Sequence, residues 1–397
     1  MKRLTLFHQY YSLLLLLLLL LLAGLSTSVS GYTPLSNSTL LNTISPRDSV
    51  ISPSGSSQSL LSRILIPRVP GTPGHAAVQS YFLEFITTQL HADWVVEWHN
   101  SSSITPATGD KLVPFSNIIL RRDPPWVGSN EASGDTGRLV LAAHYDSLYK
   151  PEGFVGAVDS AVPCAMLMEV LRGVDEGLTR KWEVEGGSGG DGLEEERGVM
   201  VLLLDGEEAW VSWAEDDSLY GSRALAETWE NTKYENGEHF DGPLQAISLF
   251  VLLDLLGAPE PTVPSYFERT HWAYENMAKI EGRMRGLGVL ETKPKKSFLY
   301  EAGKKDWFQR GYIQDDHVPF MERGVDILHI IPTPFPAVWH TMDDDGAHLD
   351  LPTIRDWTKI VTAFVAEWMD LEGYMPERKG GEGEEEAESR YPEKDEL

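Results

Sequence analysis

The chain has 397 residues, enough for one large domain or two ordinary ones, and its 42% hydrophobic content supplies a sizeable core. It carries 33 Lys plus Arg against 60 Asp plus Glu, a formal net charge of -27. Phosphates would be repelled, which argues against nucleic acid and anionic membrane surfaces as partners.

Taken in chain order, Lys2 and Arg3 precede an unbroken leucine run, Leu13 to Leu22, and Ser28 and Ser30 stand before Gly31. This pattern predicts a secretory signal over residues 1–30. An uncleaved anchor is the alternative, although the run is short for a membrane span. Residues 31–60, rich in Ser, Thr, Pro and Asn, read as a flexible lead-in to one catalytic domain over 61–375. Asn37-Ser38-Thr39 and Asn100-Ser101-Ser102 are glycosylation acceptors if the chain enters a lumenal compartment.

Helical spacing of apolar residues predicts a helix from His75 to Leu90. Strands are expected over Trp94–Trp98, Phe115–Leu120 and Arg138–Ala143, with a Pro-, Gly- and acid-rich loop from Arg122 to Gly137. A helix from Ser160 to about Arg172 follows. It contains Cys164, the single cysteine, which excludes an internal disulfide and reads as a buried, inert thiol. The low-complexity acidic stretch Glu183–Arg197 reads as a surface insertion.

Val201 to Leu204 is the apolar run of a strand buried on both faces, and it stops on Asp205-Gly206-Glu207-Glu208. A helix over Ser222–Trp229, a strand over Ala246–Leu256 and a long helix through Phe267–Met284 come next. A strand over Val325–Ile331 and a closing amphipathic helix over Thr353–Met369 complete the domain. Residues 376–397 form an acidic tail ending in Lys394-Asp395-Glu396-Leu397, which implies a retrieval receptor and the lumen of the endoplasmic reticulum. The alternation of strands and helices predicts an α/β layered domain with a largely parallel centre and an antiparallel start.

Polar clusters fall where the strands end: His144-Tyr145-Asp146, Asp159, Glu207-Glu208, Asp254 and His340. Singly, each has a plain explanation. Glu207-Glu208 would be a solvated turn, Asp159 a helix cap, Asp254 a satisfied strand-end carboxylate and His340 a surface histidine. Jointly, the plain explanations require a coincidence at every sheet end. Imidazole with carboxylates is a zinc-like ligand set, and three protein ligands with an open fourth position is the catalytic arrangement. Neighbouring side chains diverge in a strand or turn, so Glu207 and Glu208 take different tasks, one as metal ligand and one as proton carrier.

The segment Gly156 to Met166 resembles the metal-site segment of the glutaminyl-peptide cyclotransferases. So do Asp205-Gly206-Glu207-Glu208-Ala209-Trp210 with Trp213 following, Asp217 to Arg223, Phe250 to Pro259, Gln314 to Phe320 and Ile330 to Asp345. The likeness runs in order through roughly residues 60 to 370. It implies a three-layer α/β/α fold with a mixed, mostly parallel sheet, similar to zinc-dependent aminopeptidases. It also implies one zinc ion per chain on Asp159, Glu208 and His340, with Glu207 as proton shuttle. Asp254 and Asp315 would form a hydrogen-bonded acidic pair near Glu207, and Trp213, His329 and Trp339 would line the pocket. The implied activity converts the N-terminal glutamine of peptides and proteins to pyroglutamate with loss of ammonia. Separately from that likeness, the chain is expected to be a monomer.

Two departures stand out. Ala143 replaces the cysteine that many secreted members pair with the one matching Cys164, and the acidic insertion is not a feature of the family. Two other readings stay open at this stage. One is a zinc aminopeptidase using His144 and Asp254 for a second metal, and the other is a catalytically silent lumenal peptide-binding protein.

Overall fold

The computed structural model describes residues 32–376 apart from 43, 45, 54–58, 92, 128–135, 187–195, 235–238, 307 and 309–311. Its strands are β1 (Val95–Ile104), β2 (Leu112–Arg122), β3 (Thr136–His144), β4 (Glu196–Leu204), β5 (Ile247–Leu253) and β6 (Ile327–Ile330). They form a 6-stranded sheet in the order β1, β2, β4, β3, β5, β6. β1, β2 and β4 pair antiparallel, whereas β4, β3, β5 and β6 run parallel. The mixed sheet with an antiparallel start is the one the sequence pattern predicts.

The longer helices are α1 (Pro73–Gln89), α2 (Val162–Glu185), α3 (Tyr220–Glu230), α4 (His271–Gly286) and α5 (Leu351–Trp368). Strand side chains alternate between faces, and the alternation sorts the core into two layers. Leu139, Leu141, Val201, Leu203, Val251 and Leu253 pack with residues of α1, α2, α4 and α5. Val140, Leu202, Leu204, Phe250 and Leu252 pack on the other face with Leu225 and Ala226 of α3 and with Phe320. Every residue of β3 is therefore buried. Helix starts follow local chemistry: Asp350 caps α5 by accepting from the Thr353 amide at 3.1 Å, with Pro352 in the first turn.

Several expected boundaries move. α2 runs on to Glu185 because Val174, Leu178 and Trp182 extend its buried stripe beyond Arg172. The two ends of the expected insertion thus belong to α2 and β4, and its centre lies outside the described residues. β1 continues through Ser101–Ser103 to Ile104, since backbone pairing with β2 carries it past the last β-favouring side chain.

Residues 32–53 are not the flexible lead-in that their polar composition suggests. Leu35, Leu40, Val50 and Ile51 are buried in the larger core. The amides of Leu35 and Ser36 donate to Glu367 and Glu372 at 2.9 and 2.8 Å. Widely spaced apolar residues anchor a segment whose average composition hides them. The expected signal and retrieval segments lie outside the described residues.

Asp123, at the exit of β2, ties two strands together. It accepts from Arg138 of β3 at 2.9 and 2.8 Å and from Arg121 at 2.7 Å. Burial would raise its pKa, but the two guanidinium groups outweigh burial and hold it below the usual carboxylate range. A depressed folded-state pKa contributes stability above the unfolded value, and that stability is lost as pH falls through the folded one. The stability advantage of wild type over Asp123→Asn is therefore expected to be constant above about pH 5 and to shrink below about pH 4, as read from urea midpoints.

Candidate active site

The carboxyl ends of parallel strands open on one side of a sheet, and the polar clusters gather there. β3 ends on His144, which stands beside Leu204 at the end of β4. The chain after β4 turns sharply at Gly206, φ 71°, where a Cβ would sit 2.3 Å from the Phe115 ring. That turn delivers Glu207 and Glu208. β5 ends one residue before Asp254, and Asp159 lies just ahead of α2. Gly156 makes the approach to Asp159 possible, because a Cβ at its φ of 62° would lie 2.1 Å from the Asp159 carbonyl oxygen.

Asp159 is the hub. Its Oδ1 lies 3.0 Å from His144 Nε2, and its Oδ2 lies 3.3 Å from His340 Nε2. His340 Nε2 is also 3.8 Å from Glu208 Oε2, and His144 Nε2 is 3.6 Å from Asp254 Oδ1. Two donor groups result, Asp159–Glu208–His340 and His144–Asp159–Asp254, with Asp159 common to both. Asp254 Oδ1 accepts the Ser160 hydroxyl and the Leu255 amide. His340 adopts φ 55°, and Trp339 stacks on it at 3.9 Å between centroids. Glu207 belongs to neither group, and among the described residues no side chain hydrogen-bonds its carboxylate.

The supports are built in. The two Asp146 carboxylate oxygens accept the amides of Glu207 and Glu208 at 3.1 and 3.2 Å, so one side chain sets the direction of both glutamates. Asp217 accepts the amides of Trp210, Val211 and Ser212, each at 2.9 Å, and fixes the loop that follows. Asp205 ties the turn back to Ser116 and His75 at 2.7 and 2.9 Å. Arg68, wholly buried, donates to the carbonyls of Tyr145, Asp146 and Gly156 at 2.7, 3.2 and 3.0 Å, and also to those of Ile64, Ile66 and Val155. It thereby pins the His144–Asp146 segment to the loop that carries Asp159.

So many buried carboxylates repel one another. Like unit charges about 4 Å apart cost roughly 4 kcal/mol at an effective dielectric near 20. Burial, reinforced by their neighbours' charges, pushes Glu207, Glu208 and Asp254 up. Burial would also raise Asp159, but the bonds from His144 and His340 hold it low. His144 is raised because Asp146, Asp159 and Asp254 overcome the effect of burial. Buried Glu208 Oε1 has no hydrogen-bond partner. An orphaned carboxylate oxygen in a set of one imidazole and two carboxylates fits a divalent cation such as zinc.

Trp213 and Trp339 are 40% and 37% exposed, so both remain available to line an opening, and Trp213 Nε1 donates to Gln314 Oε1 at 2.9 Å. His329 is buried, and its Nε2 lies 2.7 Å from Asp315 Oδ2, so it supports Asp315 rather than presenting a free face. The expected hydrogen bond between Asp254 and Asp315 is absent among the described residues. Asp254 is taken by Ser160 and Leu255, while Asp315 accepts from its neighbour's amide and pairs with His329. The two act on each other through charge alone, Asp315 helping to raise Asp254. Cys164 is buried, donates to the His144 carbonyl at 3.1 Å, and is pushed up to about 12 by burial. Sequence reasoning singled out Asp146 and Asp217 only as parts of motifs, without a task. Arg68 and Ser160 were missed, and an isolated arginine 76 positions before His144 gives no local signal.

Residues 125–365 match the model of Peptidase family M28. The glutaminyl-peptide cyclotransferase-like protein of Bos taurus is 39% identical over 320 residues, covering 79% of this chain and 75% of that protein. The glutaminyl-peptide cyclotransferase of Bos taurus is 39% identical over 318 residues, covering 79% and 82%. Among solved structures, the Macrostomum lignano glutaminyl cyclase superposes with a TM-score of 0.68 at 28% identity, covering 87% of this chain and 97% of that one.

The Arg68 clamp is separable from any chemistry. Arg68→Met is expected to lower the unfolding free energy by more than about 3 kcal/mol, since each buried carbonyl left without a donor costs roughly 1–3 kcal/mol. Arg68→Lys is expected to recover only part of that loss, because an ammonium cannot span the same fork of acceptors. Full recovery by lysine in urea unfolding would show that charge, and not the planar fork, is what matters.

Proposed function

From the premise that this chain belongs to the glutaminyl-peptide cyclotransferase family, within Peptidase family M28, we propose that it is a zinc-dependent glutaminyl-peptide cyclotransferase. It converts the N-terminal glutamine of peptides and proteins to pyroglutamate and releases ammonia. One observation carries the reading: Glu207 stands beside the Asp159–Glu208–His340 donor set, oriented by Asp146 yet uncommitted to any described side chain.

Asp159, Glu208 and His340 would hold one zinc ion. When bound, it supplies a Lewis acid that polarises the γ-amide carbonyl. Glu207 takes a proton from the attacking α-amine and gives one to the departing NH2, so a single carboxylate serves both halves of the reaction. Asp315, fixed by His329, is an acidic neighbour that raises its pKa, and Asp254, fixed by Ser160, is the other member of the acidic pair. Trp213 and Trp339 wall the pocket and hold the glutamine side chain folded over its own amine, where ring closure is a matter of proximity. No water has to attack, so apolar walls do not hinder the reaction.

One observation favours a second reading. The shared Asp159 would suit a two-metal aminopeptidase with His144 and Asp254 on the second ion. Against it, Asp254 Oδ1 is already engaged by Ser160 and Leu255.

Metal content and substrate choice separate the two. Elemental analysis is expected to find about one zinc per chain, and chelation to abolish activity. Mass spectrometry of a Gln-initiated peptide is expected to show loss of one ammonia with the chain left whole, and a Leu-initiated peptide should stay intact. Glu207→Gln should slow cyclisation by about 10²–10⁴-fold while keeping the zinc. Two tightly held metals with release of free leucine would establish the aminopeptidase instead, and inactivity on both peptides with zinc bound would leave a silent binding protein.

The apolar run Leu13–Leu22 and the residues Lys394–Leu397 support a place in the endoplasmic reticulum lumen. Among the described residues, no helix is long and apolar enough to cross a membrane. Deleting Lys394–Leu397 is expected to shift the protein to the culture medium with its specific activity unchanged. Equal secretion of both forms would show that the signal is not read.

A further inference from the structure

Among the described residues, β1 is the outermost strand at one edge of the sheet and pairs with β2 alone. Residues two apart in a strand share a face. Trp98, Asn100, Ser102 and Ile104 therefore point the same way, opposite Ile118, Ser116, Pro114 and Leu112 of β2. The reverse face is covered, since His99 Nε2 lies 2.9 Å from Thr228 of α3. The opposite face packs on the larger core at Val96 and Ile118, and among the described residues it is open from Trp98 to Ile104. Trp98, Ile104 and Leu112 are 39%, 52% and 64% exposed, and Asn100, Ser102 and Pro114 are exposed beside them.

A long edge strand with an uncovered apolar face is a site for unwanted pairing, and folded proteins usually blunt it with charge or proline. Within β1 the only formal charge is Glu97, and it is taken up by Arg121 at 2.9 Å. The centre of this face is instead Asn100-Ser101-Ser102, a glycosylation acceptor. Neither the Asn100 nor the Ser102 side chain bonds to a described residue. The other acceptor differs, because Asn37 Oδ1 accepts from Arg283 at 3.3 Å and the Thr39 hydroxyl donates to Glu372 at 3.1 Å.

We propose that Asn100 carries an N-linked oligosaccharide whose first sugar lies over Trp98 and covers the open apolar face of β1. The carbon-rich face of a pyranose ring matches the indole surface. In the attachment step Asn100 Nδ2 attacks the anomeric carbon of a lipid-pyrophosphate-linked oligosaccharide. The C–N bond forms, the C–O bond to pyrophosphate breaks, and Nδ2 gives up a proton as the lipid pyrophosphate leaves. The fold keeps the position open and supplies the surface that the sugar shields. The inference rests on the lumenal location proposed above.

The test uses the full-length chain with its leader exchanged for a proven cleavable signal, translated with microsomes, so that acceptor use is measured independently of the native leader. Asn100→Gln and Ser102→Ala are each expected to remove the same endoglycosidase-sensitive step, and Asn37→Gln to leave that step in place. An unchanged pattern for Asn100→Gln would overturn the attachment. Purified Asn100→Gln protein should keep its activity but self-associate in sedimentation runs. Trp98→Ser in the Asn100→Gln background should restore the monomer. Asn100→Gln protein that stays monodisperse would overturn the shielding role. If the microsome product carries the glycan and the native protein does not, the acceptor stands and the lumenal location falls.

Discussion

The structure is governed by the difficulty of burying several carboxylates at one end of one sheet. Asp146, Asp159, Asp205, Glu207, Glu208, Asp254 and Asp315 are all buried, and all lie at or just beyond the carboxyl ends of the parallel strands or in the loops beside them. Burial strips most of their hydration, so the fold must supply donors. Asp146 is satisfied by the amides of the glutamates it directs, and Asp205 by Ser116 and His75. Asp159 is held by two imidazoles. What these donors leave unpaired, Glu208 Oε1 above all, is the feature that calls for a cation.

The same constraint explains the arginine beneath the site. Among the described residues Arg68 forms no ion pair with these carboxylates, although its charge acts on Asp146 and Asp159. Its guanidinium takes up backbone carbonyls of the segments that carry them. A planar group with five N–H donors can collect carbonyls from three stretches of chain at once. It works as a rigid fastener where this chain has no disulfide to offer, with Ala143 and a lone buried Cys164 in the neighbourhood.

One scaffold can serve water attack or ring closure, and the difference lies in small commitments of shared residues. Asp159 stands between two donor groups. Whether the second group is free for a metal depends on Asp254, and here its Oδ1 receives the Ser160 hydroxyl and the Leu255 amide. On the reading proposed above, the indoles of Trp213 and Trp339 matter because an intramolecular attack depends on how the substrate is folded.

Much of this was legible in the chain. The buried run before Asp205-Gly206-Glu207-Glu208, the parallel centre and the antiparallel start follow from apolar period and run length, since burial on both faces leaves a continuous apolar signature. Asp159, Glu208 and His340 stood out by residue type and family likeness, but only Glu208 follows a strand directly, since Asp159 stands ahead of α2 and His340 lies in the loop after β6. Composition misled at residues 32–53, where Leu35, Leu40, Val50 and Ile51 are buried in the larger core and the Leu35 amide donates to Glu367, more than 300 positions away. Tertiary structure alone decided that Asp146 orients both glutamates, that Asp254 bonds to Ser160 and not to Asp315, that His329 backs Asp315 and that Arg68 gathers the loops. Each of these is a hydrogen bond whose partner is chosen by where the sheet brings distant backbone together, and no local pattern of residues encodes that choice.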